Sequence, residues 1–389
     1  MLQQFGEQIA SYPSEPDIDC LQISFNMSTP SYQNFSAQYL KDFTANVFMH
    51  FGVSETDAIQ AADVLSKADL RGIDSHGVAR LRTYVDMFKI GRLNPKPNIR
   101  IVREKKSVAT VDGDSGLGLV VGPKANEIAM DKAARFGSGW VSVCNTNHYG
   151  IASYYSLQAL ERDMIGWSMT NSSRIVVPLF GAERRLGTNP IAIAFPGYIN
   201  PPIVIDLATS VVAFGKVEIA KRQNKAVPKG WIIDQEGMSS TSPDDVYAGG
   251  LLPLGGSREL GGHKGYCLSA MVDILSCVLS GANWGPFAPP FALFEEAPKE
   301  SVGKGIGHFF GAMEIDGFEE VDVFKRRIDH WIDVFRKTKP APGFDAVLIP
   351  GDPEHQHELV RTREGIPVIH GVVRDLLNIS LETGVPFTA

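Results

Sequence analysis

The order of hydrophobic periodicities along this chain is the feature that most constrains its fold. Apolar residues recur at helical spacing in the stretches 33–51, 54–72, 75–90, 123–136, 151–164, 264–279, 318–338 and 367–384. Between them, from Ile99 to Ala208, lie short apolar runs typical of strands, such as WVSVCN, PIAIAFPG and PPIVIDLA. Helical patterns at both ends of a strand-rich centre predict an α/β or α+β fold, and 389 residues suffice for two or more domains.

The charge and the cysteine usage narrow the function class. The net charge of −7 and a pI of about 5.8 argue against a general binder of nucleic acid or of anionic membranes. The longest apolar runs, IAIAFP and LSCVLSGANW, are too short to span a bilayer. The four cysteines have neither metal-site spacing nor a disulfide pattern, and they are Cys20, Cys144, Cys267 and Cys277. We therefore expect a protein of the reducing cytoplasm.

Residues 1–30 are expected to be an extension and not a folded unit. They are polar, contain Pro and Ser, and have only weak periodicity. Without a basic segment or a long apolar run, they do not resemble a secretion signal. Met27 lies just before the first predicted helix, so translation from Met1 and from Met27 are both consistent with the sequence. Residues 1–26 are expected to be dispensable.

The segment ADLRGIDSHGVARLRTYVDMF carries the residues best suited to chemistry. In a helix from Ser75 to Ile90, His76, Arg80 and Tyr84 would share one stripe, because they are spaced by four residues. Histidine can take the proton of a hydroxyl near neutral pH, and arginine can hold a carboxylate with two parallel hydrogen bonds. Ser75 could hold His76 in one tautomer. A surface helix without a chemical role would show the same spacing, so periodicity alone leaves both interpretations open.

Five segments together point to a known family. They are LRGIDSHGVARL, CNTNHYGIASYY, RRLGTNPIAIAFP, VIDLATSVVAFGKVEIA and GGHKGYCLSAMVDILSCVLSGA, and they occur in this order. The chain resembles the malate/L-lactate dehydrogenase family of NAD(P)-dependent oxidoreductases over residues 33–389. That family also includes ureidoglycolate and sulfolactate dehydrogenases, diketogulonate reductase and cyclic imino-acid reductase.

The resemblance implies a non-Rossmann cofactor domain with a largely antiparallel sheet, beside a helical domain built from both termini. The implied divisions are an extension at 1–30, a helical substrate domain at 31–105, an NAD(P)-binding α/β domain at 106–325 and a C-terminal helical return at 326–389. It also implies a homodimer with the active site near the subunit interface. The Gly-rich segment GDSGLGLVVG is one residue too long for a dinucleotide fingerprint, so we interpret Gly116, Gly118 and Gly122 as backbone turns.

The resemblance also assigns roles to individual residues. It implies that His76 is the catalytic acid/base, with Ser75 beside it, and that Arg80 holds the substrate carboxylate. His148 competes with His76 for the proton, because some members are thought to use this second histidine. We favour His76 for the proton and His148 for contact with cofactor and substrate. Tyr84 and Thr188 are the remaining candidates for substrate binding.

The cofactor contacts implied by the resemblance are His148, Tyr149, Gly150, Ile151, Ala152, Ser172, Asp206, Leu207, Ala208, Lys264 and Gly351. Asp206 follows a predicted strand and could accept hydrogen bonds from ribose hydroxyls or cap a turn. Lys264 opens a predicted helix beside two glycines, a plausible phosphate cradle, although a lysine there opposes the helix dipole.

The predicted activity is hydride transfer between NAD(P) and a small 2-hydroxy or 2-keto acid of the malate or L-lactate type. The alternative within the family is a reductase of a cyclic imino acid or a diketo-sugar acid. The resemblance places an acid in the imino-acid reductases at the position of Lys216, so a lysine there favours the hydroxy-acid dehydrogenases. A metal-dependent lyase or hydrolase would need His76, His148 and Asp206 to converge, but without HExxH or a cysteine pair we expect no metal. We favour NAD because the chain has no arginine cluster that demands a 2′-phosphate; NADP and the identity of the hydroxy acid stay open.

Overall fold

The structure of the protein is a computed structural model that describes residues 32–291 and 296–388. The helices are α1 (Ala37–His50), α2 (Glu55–Leu70), α3 (Leu81–Lys89), α4 (Gly118–Phe136), α5 (Ser153–Leu160), α6 (Phe214–Arg222), α7 (Gly262–Asp273), α8 (Val321–Arg336), α9 (Asp352–Glu364) and α10 (His370–Thr383). Short 3-10 turns lie at Asp74–His76, Val78–Arg80, Pro243–Tyr247 and Gly285–Phe287, and a π turn follows α7 at Ile274–Val278. The predicted extension, 1–30, lies outside the described residues.

The strands form one large sheet and two small ones. They are β1 (Tyr32–Phe35), β2 (Arg100–Lys105), β3 (Val108–Gly116), β4 (Ser138–Thr146), β5 (Met164–Thr170), β6 (Ile191–Phe195), β7 (Ile203–Leu207), β8 (Ile232–Ile233), β9 (Ser239–Ser240), β10 (Gly250–Leu251), β11 (Ile306–Glu314) and β12 (Ile366–Ile369). Within the described residues, the large sheet has seven strands in the order β2-β3-β4-β11-β5-β6-β7. Strands β3 and β4 run parallel, and every other neighbouring pair in this sheet is antiparallel. The expected mixed α/β fold is confirmed, and its sheet is largely antiparallel.

The central strand of this sheet, β11, was not predicted from the sequence. It pairs with β4 on one side and β5 on the other, so that Phe310 faces Val141 and Ser168. The first seven residues of β11 are all buried. A strand covered on both faces loses the alternation of polar and apolar residues by which an exposed strand is found.

The two ends of the described chain are joined by a short antiparallel pair. Strand β1 pairs with β12 in a register that sets Tyr32 against Ile369 and Phe35 against Ile366. Both segments were assigned to the predicted helices 33–51 and 367–384, so the predicted starts of those helices are wrong. Helix α1 begins after Ser36, whose Oγ accepts the N–H of Tyr39, and α10 begins at His370. The pairing partner is remote in sequence, and local periodicity does not reveal it.

One apolar core joins the terminal helices to the sheet. It includes Phe48 of α1, Leu65 of α2, Tyr84 of α3, Leu376 of α10 and Phe310 of the central strand, all buried. Helices from both ends of the described chain, α1 and α10, therefore contribute to one core, and the helical domain implied by the resemblance stays a prediction. The predicted boundaries at residues 105 and 325 stay predictions, because this core continues across the helical layer into the sheet.

The predicted third helix, Ser75–Ile90, is replaced over its first half by two 3-10 turns, and α3 begins only at Leu81. The expected stripe of His76, Arg80 and Tyr84 is therefore wrong as helical geometry, because His76 and Arg80 each end a 3-10 turn. The buried carboxyl group of Asp69 accepts the N–H of Val78, so this N–H does not take part in a continuous helix.

Glycine contacts hold the start of α4 against the chain that follows β4. A Cβ on Gly118 would lie 2.1 Å from the carbonyl oxygen of Asn147 and 2.5 Å from that of His148, and one on Gly122 would lie 2.6 Å from the ring of Tyr155. Gly118 and Gly122 lie inside α4. Our interpretation of them as turns is therefore wrong: close backbone approach requires the missing side chains. This packing sets the position of His148.

Within the described residues, no helix combines the length and the apolar character that crossing a membrane would require.

Candidate functional site

Ser75, His76 and Arg80 form a connected group on the two 3-10 turns after α2. The Ser75 hydroxyl lies 2.8 Å from Nδ1 of His76, within hydrogen-bond distance. Nε of Arg80 donates to the carbonyl oxygen of Ser75 at 2.5 Å. That bond orients the arginine back toward the turn that carries His76 and leaves the two terminal nitrogens of the guanidinium for a ligand.

His148 follows β4 and comes beside His76 from a different part of the fold. The centroids of the two imidazole rings are 5.6 Å apart. Tyr84, buried in α3, places its hydroxyl 2.6 Å from Nδ1 of His148, and the N–H of Gly150 donates to the same nitrogen at 3.3 Å. Gly150 adopts a φ of +80°, which turns the backbone back toward the histidine. The structure thus brings together the predicted residues Ser75, His76, Arg80, Tyr84 and His148.

Phe291 completes this cluster, and the sequence analysis did not identify it. Its ring stacks on His148 with centroids 4.1 Å apart, and the guanidinium carbon of Arg80 lies 5.9 Å from its centroid. The N–H of Phe291 donates to the Oγ of Ser173 at 2.9 Å. The only signal in the sequence was an aromatic residue in the proline-rich run PFAPPF, which is not specific.

Burial and like charge keep both histidines neutral. Burial, with the positive charge of Arg80 second, lowers the pKa of His76 to about 4. The pKa of His148 is also well below its usual value, first because of burial and then because of His76 and Arg80. At neutral pH each imidazole therefore has one nitrogen that carries a hydrogen and one that can accept a hydrogen bond or a proton.

A second group of predicted residues lines a cavity of about 400 Å³. Its walls include Arg71, Ser153, Asp206, Leu207, Gly351 and Glu354. The N–H of Ser153 donates to the carboxylate of Asp206 at 2.9 Å. Gly351, with a φ of +99°, is the N-cap of α9. Three predicted cofactor residues, Asp206, Leu207 and Gly351, thus face one space.

Arg71 is a polar residue of this cavity that the sequence analysis missed. It is only 4% exposed, and Nη1 donates to Glu358 at 3.0 Å. Its Nε has no hydrogen-bond partner in the part of the chain that the structure describes. A buried guanidinium with an unused donor beside a cavity fits a ligand that offers an acceptor.

The other candidates are Ser172, Thr188 and Lys264. Ser172 accepts the N–H of Thr188 at 3.0 Å, and their hydroxyls are 3.1 Å apart. Lys264 is exposed in the first turn of α7. The backbone N–H of Lys264 donates to the carbonyl oxygen of Gly261 at 2.8 Å.

Several predicted cofactor residues are buried, and Ala208 is half-buried beside Leu207. The Tyr149 ring is packed between Tyr155 and His308, and the side chains of Ile151 and Ala152 belong to the core. The Tyr149 ring is therefore occupied by packing contacts, and the backbone of Tyr149 stays the candidate cofactor contact.

The described residues contain no group of three or more His, Cys, Asp or Glu side chains that could hold a metal ion.

Comparisons with known proteins identify the family of this chain. The family model described as malate/L-lactate dehydrogenase matches residues 35–377. The malate dehydrogenase of Pyrococcus horikoshii is 44% identical over 89% of this chain and 94% of its own length. The L-sulfolactate dehydrogenase of Methanocaldococcus jannaschii is 39% identical over 88% and 95%. The crystal structure of malate dehydrogenase from Entamoeba histolytica superposes with a TM-score of 0.86 at 34% identity, over 92% of this chain and all (100%) of that one.

The fold and the site define a dehydrogenase that acts on the CH–OH group of small hydroxy acids with a nicotinamide cofactor. The chain belongs to the malate/L-lactate dehydrogenase family.

Proposed function

We propose that this protein interconverts malate and oxaloacetate with NAD as the cofactor, His76 as the acid/base and Arg80 as the carboxylate-binding residue. The observation that carries the proposal is that His148 lies beside His76 and Arg80, although helices α3 and α4 and strands β2, β3 and β4 separate it from them in the sequence. A hydroxyl at this point would meet a base, a hydrogen-bond donor and a cation together, as oxidation of a 2-hydroxy acid requires.

The hydrogen bonds of the two imidazoles support different roles. The N–H of Gly150 can only donate, so Nδ1 of His148 is an acceptor and Nε2 carries the hydrogen. In that tautomer His148 is a hydrogen-bond donor, suited to hold the substrate oxygen. The hydroxyl of Ser75 can instead accept from Nδ1–H of His76, which leaves the Nε2 lone pair free. His76 is therefore the better base.

The steps carried out by this chain follow from these roles. Arg80 binds the substrate carboxylate through its terminal nitrogens and fixes the 2-carbon relative to both histidines. The hydroxyl donates its proton to Nε2 of His76, while Nε2–H of His148 bonds to the same oxygen. The nicotinamide, when bound, supplies the hydride acceptor. Phe291, stacked on His148, reduces access of water to the reacting oxygen.

The cavity beside Asp206 is where we place part of the cofactor. The carboxylate of Asp206 faces this cavity and can accept hydrogen bonds from ribose hydroxyls. The unused Nε of Arg71 can donate to an oxygen of the cofactor there. The carboxylates of Asp206 and Glu354 in the same wall disfavour the additional phosphate of NADP, which supports NAD. Lys264 and Ser172 stay proposed cofactor contacts on the resemblance alone, and Thr188 stays a proposed substrate contact.

The test of the substrate is a panel of 2-hydroxy acids and 2-keto acids. Malate, lactate, sulfolactate and ureidoglycolate would each be measured with NAD and with NADP, and oxaloacetate, pyruvate and a cyclic imine with NADH and NADPH. We expect the highest kcat/KM for malate and oxaloacetate, with NAD(H). If no 2-keto acid supports oxidation of either reduced cofactor, the proposed function is wrong. Preferential turnover of the imine would favour the reductase alternative.

Replacing Asp206 with alanine is expected to weaken NADH binding by about tenfold or more, because hydrogen bonds to a charged group contribute about 1.5–3 kcal/mol. Binding would be measured from the fluorescence of NADH, without substrate. Glu354→Gln is the matched control, since it removes a carboxylate from the same wall. An equal loss in both variants would point to general electrostatics and against a specific role for Asp206.

We also propose that the protein is a cytoplasmic homodimer with the domain division that the resemblance implies. The scattered cysteines support the compartment, and Cys144, Cys267 and Cys277 are free thiols. The exposed apolar side chains of Tyr266 and Ile274, on α7 and the π turn after it, support a surface for the partner subunit.

A further inference from the structure

Asp69 is a buried carboxyl group that faces the turn carrying the proposed catalytic residues. It lies in the last turn of α2 and is 3% exposed. Its Oδ2 accepts the N–H of Val78 at 2.8 Å. Val78 begins the 3-10 turn that ends at Arg80, so the carboxyl satisfies a backbone donor at the start of that turn, as a cap would.

Gly77 brings the backbone into direct contact with the same carboxyl group. A Cβ built on Gly77 would lie 1.7 Å from Oδ1 of Asp69 and 2.1 Å from its Cγ. The carboxyl group therefore occupies the space that any side chain at position 77 would need. Gly77 separates the turn of His76 from the turn of Arg80.

A second contact ties this region to α9. Nη1 of Arg361 donates to the backbone oxygen of Asp69 at 2.5 Å, and the same guanidinium pairs with the carboxylate of Asp74. Arg361 is buried. Asp74 opens the turn that carries Ser75 and His76, so this turn is held at its start by Arg361 and at its end by Asp69.

We propose that Asp69 is a positioning residue for the reaction: it holds the Gly77–Val78 peptide so that His76 and Arg80 face one substrate. This inference rests on the proposed function, in which those two side chains handle the proton and the carboxylate. Asp69 touches neither of them and acts only through the backbone between them. A displacement of about 1 Å in a catalytic group can lower a rate by about 100-fold.

The protonation of Asp69 determines which substitution should preserve its role. Burial raises the pKa of Asp69 to about 8; the hydrogen bond from Val78 lowers that pKa, Asp74 raises it and Arg361 lowers it. The carboxyl group is therefore mostly neutral at pH 7, and an asparagine has the same shape and the same oxygen acceptor. Asp69→Asn should keep the bond to Val78, whereas Asp69→Ala removes it.

The first experiment compares Asp69→Ala, Asp69→Asn and Asp63→Ala. Asp63 is a carboxylate on the same helix that bonds to Lys41 and Tyr154 instead, so it is the matched control. With oxaloacetate and NADH, we expect kcat per folded molecule to fall by about 100-fold in Asp69→Ala. It should stay within about threefold of wild type in Asp69→Asn and Asp63→Ala, and NADH binding should be unchanged in all three.

A second measurement does not depend on turnover. Hydrogen exchange of the amides from His76 to Leu81 should become faster in Asp69→Ala and return toward the wild-type rate in Asp69→Asn. Unchanged exchange in this segment would overturn the proposal even if the substrate had been misidentified. A wild-type enzyme inactive on all 2-keto acids, but with faster exchange in Asp69→Ala, would instead reject the proposed function and retain the positioning role.

Gly77→Ala tests the contact between Gly77 and Asp69 by changing the other residue. It provides a second variant in case Asp69→Ala does not fold. The added methyl group should displace the carboxyl group and lower kcat by a factor similar to that of Asp69→Ala. The double variant Asp69→Ala/Gly77→Ala should lose less than the product of the two single effects, because the methyl group then enters the space that the carboxyl group left. If the loss of kcat in the double variant equals the product of the two single losses, the two residues do not act through one contact.

Discussion

Replacement of His76 with alanine is expected to lower kcat by about 10²–10⁴-fold, the contribution typical of a general acid or base. His76 is proposed to handle the proton only while the hydride moves, so the KM for the 2-hydroxy acid should change much less. Steady-state kinetics of malate oxidation and oxaloacetate reduction would measure both parameters. The free Nε2 lone pair that this role needs is present in the tautomer in which the Ser75 hydroxyl accepts from Nδ1–H of His76.

The matched variant is His148→Ala, since this histidine lies beside His76 and shares its burial and its neighbour Arg80. If His148 only donates a hydrogen bond to the substrate oxygen, its loss should cost less than the loss of His76. A nearly unchanged kcat in His76→Ala, together with an inactive His148→Ala, would assign the proton to His148 instead.

The acid limb of the pH profile of kcat/KM for malate oxidation gives a second test of His76 as the base. A pKa of about 4 for His76 means that the imidazole is unprotonated at neutral pH and gains its proton only as the pH falls toward 4. The value of kcat/KM for oxidation should therefore persist well below the usual histidine pKa of about 6.5. The neighbouring charge of Arg80 contributes to this lowering, so Arg80→Ala should move the limb to higher pH.

Arg80→Lys is expected to raise the KM for malate by about 100-fold. The substitution keeps the positive charge but removes the planar group that can bind both carboxylate oxygens. It also removes the Nε that donates to the carbonyl oxygen of Ser75, so kcat should fall as well if the turn around His76 shifts. Initial rates over a wide range of malate concentration would separate the two effects.

Arg82→Lys is the control for this experiment. Arg82 lies two residues further along the chain, and its guanidinium pairs with Asp86 and Glu382 at the surface. Exposed ion pairs contribute about 0–1 kcal/mol, so Arg82→Lys should leave KM and kcat nearly unchanged. A substrate analogue without the carboxylate should be turned over equally poorly by wild type and Arg80→Lys. If Arg80→Lys and Arg82→Lys behave alike, Arg80 does not bind the carboxylate.

The sequence by itself determined the class of fold, the family and most of the proposed catalytic group. Strand-like runs were predicted from Ile99 onward: β2 and β3 lie at the start of this region as an antiparallel pair, and the run WVSVCN lies in β4. These elements could be predicted because alternation and turn residues are local properties of the chain. Ser75, His76 and Arg80 were found because they are close in sequence, although the continuous helix assumed for them does not form.

Only the tertiary structure decided which remote residues meet at the site. The pairing of β1 with β12, the stacking of Phe291 on His148 and the place of Arg71 beside Asp206 join segments that are far apart in sequence. The turn around Gly77 also depends on a contact outside its own segment, because the buried carboxyl group of Asp69 takes its backbone donor and fills its side-chain space. A periodic pattern records which face of an element is buried, but it carries no information on which distant side chain will lie against that face.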